Sequence, residues 1–159
     1  MNKAAFIAKI IAKLDEELAL YARSAIAAHA EATDEQSKAE NKYDTRGLEA
    51  SYLARGQSKQ VAETLQVREQ FVALPPRDFA PADPIDLGAL IEVTEANERS
   101  LYFIGPGAGG TEISHGGEMI LVITPQSPLG QQLLKRRQGE RLQFQLGGRP
   151  RKFRIVAVT

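Results

Sequence analysis

The sequence predicts an α+β fold. A long antiparallel α-helical hairpin of coiled-coil type spans residues 1–74, and a small antiparallel β domain with one short helix spans 87–159. Three observations predict it. Near the N-terminus, apolar residues recur at alternating steps of four and three. Four prolines crowd into residues 75–86, PPRDFAPADPID, after a stretch with none. Beyond them the pattern changes to short β-branched or aromatic runs between glycine-rich turns.

Residues 3–32 read as one helix. Ile7, Ile11, Leu14, Leu18, Tyr21, Ala25 and Ala28 form a heptad seam, which requires a partner helix. The seam starts with large residues and ends with alanine, so the partner is held apart near Ile7 and comes close near Ala28. Lys9, Lys13, Asp15, Glu16 and Glu17 fall mostly off the seam and are expected to face water. Residues 33–45, TDEQSKAENKYDT, are polar apart from Tyr43 and form a turn or frayed helix ends. Residues 46–74 resume helical character, with Leu48, Tyr52, Val61, Leu65 and Val72 expected inward. Gly47 and Gly56 each weaken this helix by about 1 kcal/mol relative to alanine. At about 1.5 Å per residue, each arm is roughly 45 Å long. Such an arm buries only one stripe, so its far end serves to place the tip at a distance.

Pro75 and Pro76 stop the second helix, and residues 75–86 are expected to be a stiff linker. The runs ALIEV, SLYFIG, EMILVIT, RLQFQL and KFRIVAV then read as strands, with Gly147-Gly148 as a two-residue hairpin turn. SPLGQQLLKRRQG lies between the third and fourth runs. Ser127 is placed to cap a short helix, Pro128 suits its first position and Gly139 its end.

Composition narrows the function classes. The chain has 159 residues, no cysteine and only 6% aromatics. Disulfides and thiolate metal sites are excluded. Charges interrupt the N-terminal apolar residues, unlike a signal peptide or membrane span, and a cytoplasmic location is expected. Twenty basic and twenty acidic residues balance overall but are separated. Five acids and two lysines lie between Glu31 and Asp44, whereas eight basic residues and one acid lie between Lys135 and Arg154. An acidic pole and a basic pole favour oriented docking on a charged partner.

Enzyme chemistry finds little support. His29 and His115 are far apart and lack metal-ligand spacing. The segment Gly105–Thr111, GPGAGGT, has the glycines of a phosphate loop but lacks the lysine that should follow, so a loop between strands is the default. The tip acids are the remaining chemical candidates. Carboxylates bind Mg²⁺ weakly alone but can complete a site held by another protein. They also serve solubility and the start of the second helix.

The segment ITPQSPLGQQLLKRRQGERLQFQLGGRPRKFRIVAV, residues 123–158, resembles the C-terminal part of the Gre family of bacterial transcription factors. AENKYDTRGLEASYLARG, with Glu40-Asn41 followed by Tyr43, is similar to the tip and second helix of the Gre hairpin. The resemblance implies an FKBP-like C-terminal domain that docks on bacterial RNA polymerase at its secondary channel, with Ser127, Pro128 and Leu129 in the docking loop. It implies a hairpin entering the channel, with Glu40 and Asp44 at the tip and Glu40 helping to hold Mg²⁺ in the polymerase active site. The protein would have no cofactor of its own and would not itself be an enzyme; the polymerase would cleave backtracked RNA. Ser37 stands where cleavage-competent members carry an aspartate. The alternative is therefore a non-cleaving secondary-channel regulator of initiation or pausing. Basic hairpin residues, Lys3, Lys9, Lys13, Arg23, Arg55 and Lys59, suit weak contact with RNA or DNA backbones.

Two readings come from other classes. A peptidyl-prolyl isomerase or chaperone needs an aromatic-lined pocket, and the second unit offers only Tyr102, Phe103, Phe144 and Phe153. A coiled-coil adaptor capped by a β domain is the other.

Overall fold

The computed structural model describes the backbone of residues 1–33 and 46–159, and their side chains except at 25, 28, 29, 32, 33, 46–55 and 57. The expected inward positions Ala25, Ala28, Leu48 and Tyr52 thus lie outside the described side chains. Two compact units emerge: Met1–Ile10 with Gln70–Thr159, and Ile11–Glu69.

The second of these is helical. It holds most of α1 (Lys3–Thr33) and of α2 (Arg46–Val72). Arg68 Nε donates to Asp15 at 2.5 Å, tying the end of α2 to the N-terminal half of α1, as an antiparallel pair requires. Leu14 is buried, while Leu18, Tyr21 and Val61 are half-buried. Leu65 and Val72, expected inward, are 43% and 60% exposed.

The other unit is built on β1 (Leu90–Glu95), β2 (Glu98–Ile104), β3 (Glu112–His115), β4 (Glu118–Ile123), β5 (Arg141–Leu146) and β6 (Arg149–Val158), with α3 (Pro128–Leu133) between β4 and β5. The sheet order is β3-β4-β2-β1-β6-β5. It is mixed rather than wholly antiparallel, because β2 and β4 run parallel. The cause is β3, a four-residue edge strand with one buried apolar side chain, Ile113. The 105–111 loop carries the chain past β2, and β3 turns it back so that β4 lies along β2 in the same direction.

Three two-residue hairpins have both turn residues at positive φ, the type I′ geometry that matches strand twist. Gly147-Gly148 is the one the pattern predicts. Ala96-Asn97 does the same between β1 and β2 without glycine, at φ 47° and 71°.

Each sheet face has a core. On one, Ile91, Val93, Ile104, Ile123, Phe153 and Ile155 pack with Leu129 and Leu133 of α3. Phe79 and Ile85, from the proline-rich stretch, complete this cluster. On the other, Phe103 is fully buried, and the Phe6 ring meets it edge-on at 5.0 Å. Phe6, Ile10 and Phe71 are all 0% exposed, and burying each contributes roughly 1.5–3 kcal/mol. These three explain two departures from the seam. In the first turns of α1 the buried stripe runs through Lys3, Phe6, Ile7 and Ile10, with Ile11 only half-buried, because these turns serve the sheet. At the end of α2, Phe71 takes the inward position and Val72, about 100° further round the helix, points out.

Lys3 is an unusual core member at 4% exposure. Its Nζ donates to the Arg77 carbonyl at 2.5 Å and lies 4.7 Å from the centre of the Phe79 ring. Burial lowers its pKa to about 8, against the attraction of Asp78.

Candidate docking surface

The β4–α3 connection carries Ser127, Pro128 and Leu129. A serine before a proline suits a helix start: its oxygen satisfies an amide the helix cannot, and proline lacks one to satisfy. Ser127 Oγ accepts from the Gly130 amide at 3.0 Å and donates to the Thr124 carbonyl at 2.7 Å. Leu129 is 8% exposed and belongs to the core. Of the three, only Pro128 is exposed, next to exposed Gln126. Ser127 and Leu129 therefore shape this loop, and Pro128 and Gln126 form its surface.

Gly130 is a positioning residue that the sequence reading passed over. A Cβ there would sit 1.9 Å from the Thr124 carbonyl oxygen and 2.8 Å from Ser127 Oγ. The available signal was a glycine inside a helical run, PLGQQL. The helix then stops earlier than expected. Leu134 caps it, and Lys135, at φ 65°, takes the left-handed conformation directly after the cap, four residues before Gly139. Beyond the cap, Lys135 and Arg136 exchange backbone hydrogen bonds with Ile85 (2.9 and 2.8 Å), fastening the proline-rich stretch to the end of α3. Gly139 instead donates to the Ile155 carbonyl, leading into β5.

Half of the basic pole is used internally. Lys135 pairs with Asp86 at 2.5 Å, and this bond, with the Leu87 amide, holds the Asp86 carboxyl below its ordinary range. Arg136 pairs with Glu140, Arg137 donates to the Ala82 carbonyl, and Arg151 grips Glu95 through both Nε and its terminal nitrogen. The acidic tip, with Glu40, Asp44 and Ser37, lies outside the described residues. Among the described residues, no group of three or more histidines and carboxylates is placed to hold a metal. No described helix is long and apolar enough to cross a membrane.

Three amides of the glycine loop are taken up within the fold. Gly105, Gly110 and Thr111 donate to Ile123, Val122 and Ala108 carbonyls at 2.9–3.2 Å. Gly105 is there for close approach, since a Cβ would lie 2.7 Å from the Phe71 ring. His115 sits edge-on to Phe6 at 5.7 Å, with its Nδ1 buried and unpartnered. A concavity of about 450 Å³ beside it is lined by Leu90, Leu101 and Ile120 with Arg99 and its partners Glu92 and Glu118. None of Tyr102, Phe103, Phe144 or Phe153 lines it. An isomerase's ring-lined proline pocket is not found there.

Residues 80–159, 80 of the 159, match the family described as "Transcription elongation factor, GreA/GreB, C-term". Similar solved structures include GreA factor homolog 1 (Gfh1) of Thermus thermophilus, at 20% identity over 94% of each chain with a TM-score of 0.39. Gfh1 of Thermus aquaticus is 20% identical, over 99% of this chain and 94% of its own, with a TM-score of 0.41. A GreA/GreB elongation factor of Nitrosomonas europaea is 19% identical, over 60% of this chain and 78% of its own, with a TM-score of 0.37. No curated protein matches. With the family match extending over half its length, and over every strand and the capped helix, the chain belongs to the GreA/GreB transcription elongation factor family as a divergent member.

Proposed function

We propose that this protein is an accessory factor of bacterial RNA polymerase in the cytoplasm, regulating elongation from the secondary channel. In this reading, 87–159 is an FKBP-like docking domain, 75–86 joins it to the hairpin, and 1–74 is the hairpin that enters the channel. The family match over residues 80–159 carries the proposal. The shaped Ser127–Leu129 loop supports it, with Pro128 presented at the surface. Glu40 and Asp44 would reach the polymerase active site, where Glu40 helps to hold Mg²⁺ and the polymerase cleaves backtracked RNA. The chain would need no cofactor of its own, and its basic hairpin residues would add weak contact with RNA or DNA backbones.

Ser37 favours a second reading, in which the hairpin occupies the channel without cleavage and acts on initiation or pausing. A metal ligand must be placed to a fraction of an ångström, so the other tip acids do not replace a missing one. The test is a stalled elongation complex incubated with the protein and Mg²⁺. Shortened RNA that Glu40→Ala abolishes establishes cleavage. Binding to core polymerase without shortened RNA establishes the second reading. Failure to co-purify with core polymerase refutes both.

A further inference from the structure

Among the described residues, arginines outside the β5–β6 hairpin all have partners. Carboxylates neutralise Arg68, Arg77, Arg99 and Arg136, and backbone carbonyls hold Arg23 and Arg137. Within the hairpin, Arg151 on the core side is bound by Glu95. The other side differs. Arg141, Lys152 and Arg154 are exposed there and have no carboxylate or carbonyl partner. Arg141 and Arg154 stand directly opposite each other across the strands. Like charges in that position destabilise a hairpin, and an anion held between them would relieve the repulsion.

The surroundings indicate which anion. Gln143 is paired with Lys152, and Thr94 with Arg154 on the neighbouring strand. With Arg141 they edge a depression of about 350 Å³. The patch thus offers hydrogen-bond donors and no exposed aromatic anchor. Protein interfaces centre on aromatic and apolar anchors, whereas phosphates need only cations and polar donors. Lys152 and Arg154, two residues apart on one strand, are spaced by about 6.8 Å, close to the separation of successive phosphates along a nucleic-acid strand.

We propose that this face of the β5–β6 hairpin binds the phosphodiester backbone of nucleic acid through Arg141, Lys152 and Arg154. The site is separate from the helical hairpin and from the Ser127 loop, and it does not depend on polymerase docking.

The experiment uses the full chain without polymerase and fluorescent probes, one a short DNA duplex and one a single-stranded RNA of the same length. Three neutralised phosphates contribute about −3 to the slope of log affinity against log salt on duplex, and about −2 on single strands. The R141Q/K152Q/R154Q variant is expected to lose about tenfold or more in affinity at low salt and most of that slope. Its melting temperature should stay the same or rise, since the Arg141–Arg154 repulsion is gone, and R141K/R154K should still bind. The probe with the steeper loss identifies the nucleic acid. Unchanged affinity and slope in the triple variant overturn the proposal. So does loss confined to R23Q/K59Q on the helices, or a triple variant that binds both probes normally but no longer captures core polymerase, which would make the patch an acidic-protein contact.

Discussion

Replacing Gly130 with alanine adds one methyl group at the start of α3, and the structure leaves no room for it. Its Cβ would lie 1.9 Å from the Thr124 carbonyl oxygen, over 1 Å inside the closest approach real Cβ atoms make. The obstacle is backbone, so no rotamer change relieves it. Either α3 or the Thr124–Ser127 turn must move. Overpacking of this kind costs about 1–3 kcal/mol. The shift also breaks the Ser127 cap, adding about 0.5–2 kcal/mol. A total of about 1.5–5 kcal/mol lowers the melting temperature of a unit this size by about 6–40 °C. Scanning calorimetry of the full chain measures it. Gly56→Ala makes the same chemical change in α2, where nothing lies within 4 Å, and should stabilise by up to about 1 kcal/mol. A Gly130→Ala protein melting within about 2 °C of the parent would show that the loop yields freely and that Gly130 does not position it.

Three further expectations follow from the same geometry. Ser127→Ala should cost about 1 kcal/mol in urea unfolding, with Ser127→Asp restoring part of it; equal midpoints for all three proteins would remove the capping role. Gly105→Ala should cost about 1–3 kcal/mol by pressing on Phe71, and Phe71→Leu should relieve part of that in a double-mutant cycle, so strict additivity would refute the contact. Lys3 predicts a pH dependence. Its native pKa of about 8 lies below the ordinary lysine value of 10.5, so below pH 8 it is charged in both states and the native state bears the cost of burying the charge. Between those values the unfolded chain binds the extra proton, and stability rises with pH by on the order of 3 kcal/mol at most. The stability gap between the parent and Lys3→Met should shift in the parent's favour over that window; a constant gap would contradict the burial.

What the sequence made legible was local. The α1 periodicity, the Ser127-Pro128 start of α3 and the Gly147-Gly148 turn each depend on residues within a few positions of one another. What it hid was long-range. Phe6 and Ile10 are buried because the sheet carrying Phe103 arrives from far along the chain, so the heptad pattern alone misplaces the stripe at Ile11. The parallel β2–β4 pair depends on β3, whose four residues carry too little apolar signal. Ala96-Asn97 makes its turn without the glycine that would announce it. At the site, Ser127 was readable as a cap, whereas the clash at Gly130 depends on where the Thr124 carbonyl points. The three unpaired cations on the outer face of β5–β6, Arg141, Lys152 and Arg154, resemble the paired Lys135, Arg136, Arg137 and Arg151 in composition, and they separate only once the fold brings Asp86, Glu140, the Ala82 carbonyl and Glu95 to the latter. The tip acids, legible by resemblance, lie outside the described residues.

The place of β1 in the sheet bears on how the chain is made. It lies between β2, which follows at once, and β6, which begins at Arg149. On the ribosome, β1 and β2 emerge together and can pair, but the other edge of β1 stays open until more than fifty further residues have been added. Ile91 and Val93, later buried, are exposed during that interval on an unpaired edge, which is a template for pairing with other chains. Translation halted within α3 would therefore release a sticky half-sheet, and the last strand made is the one that protects the first.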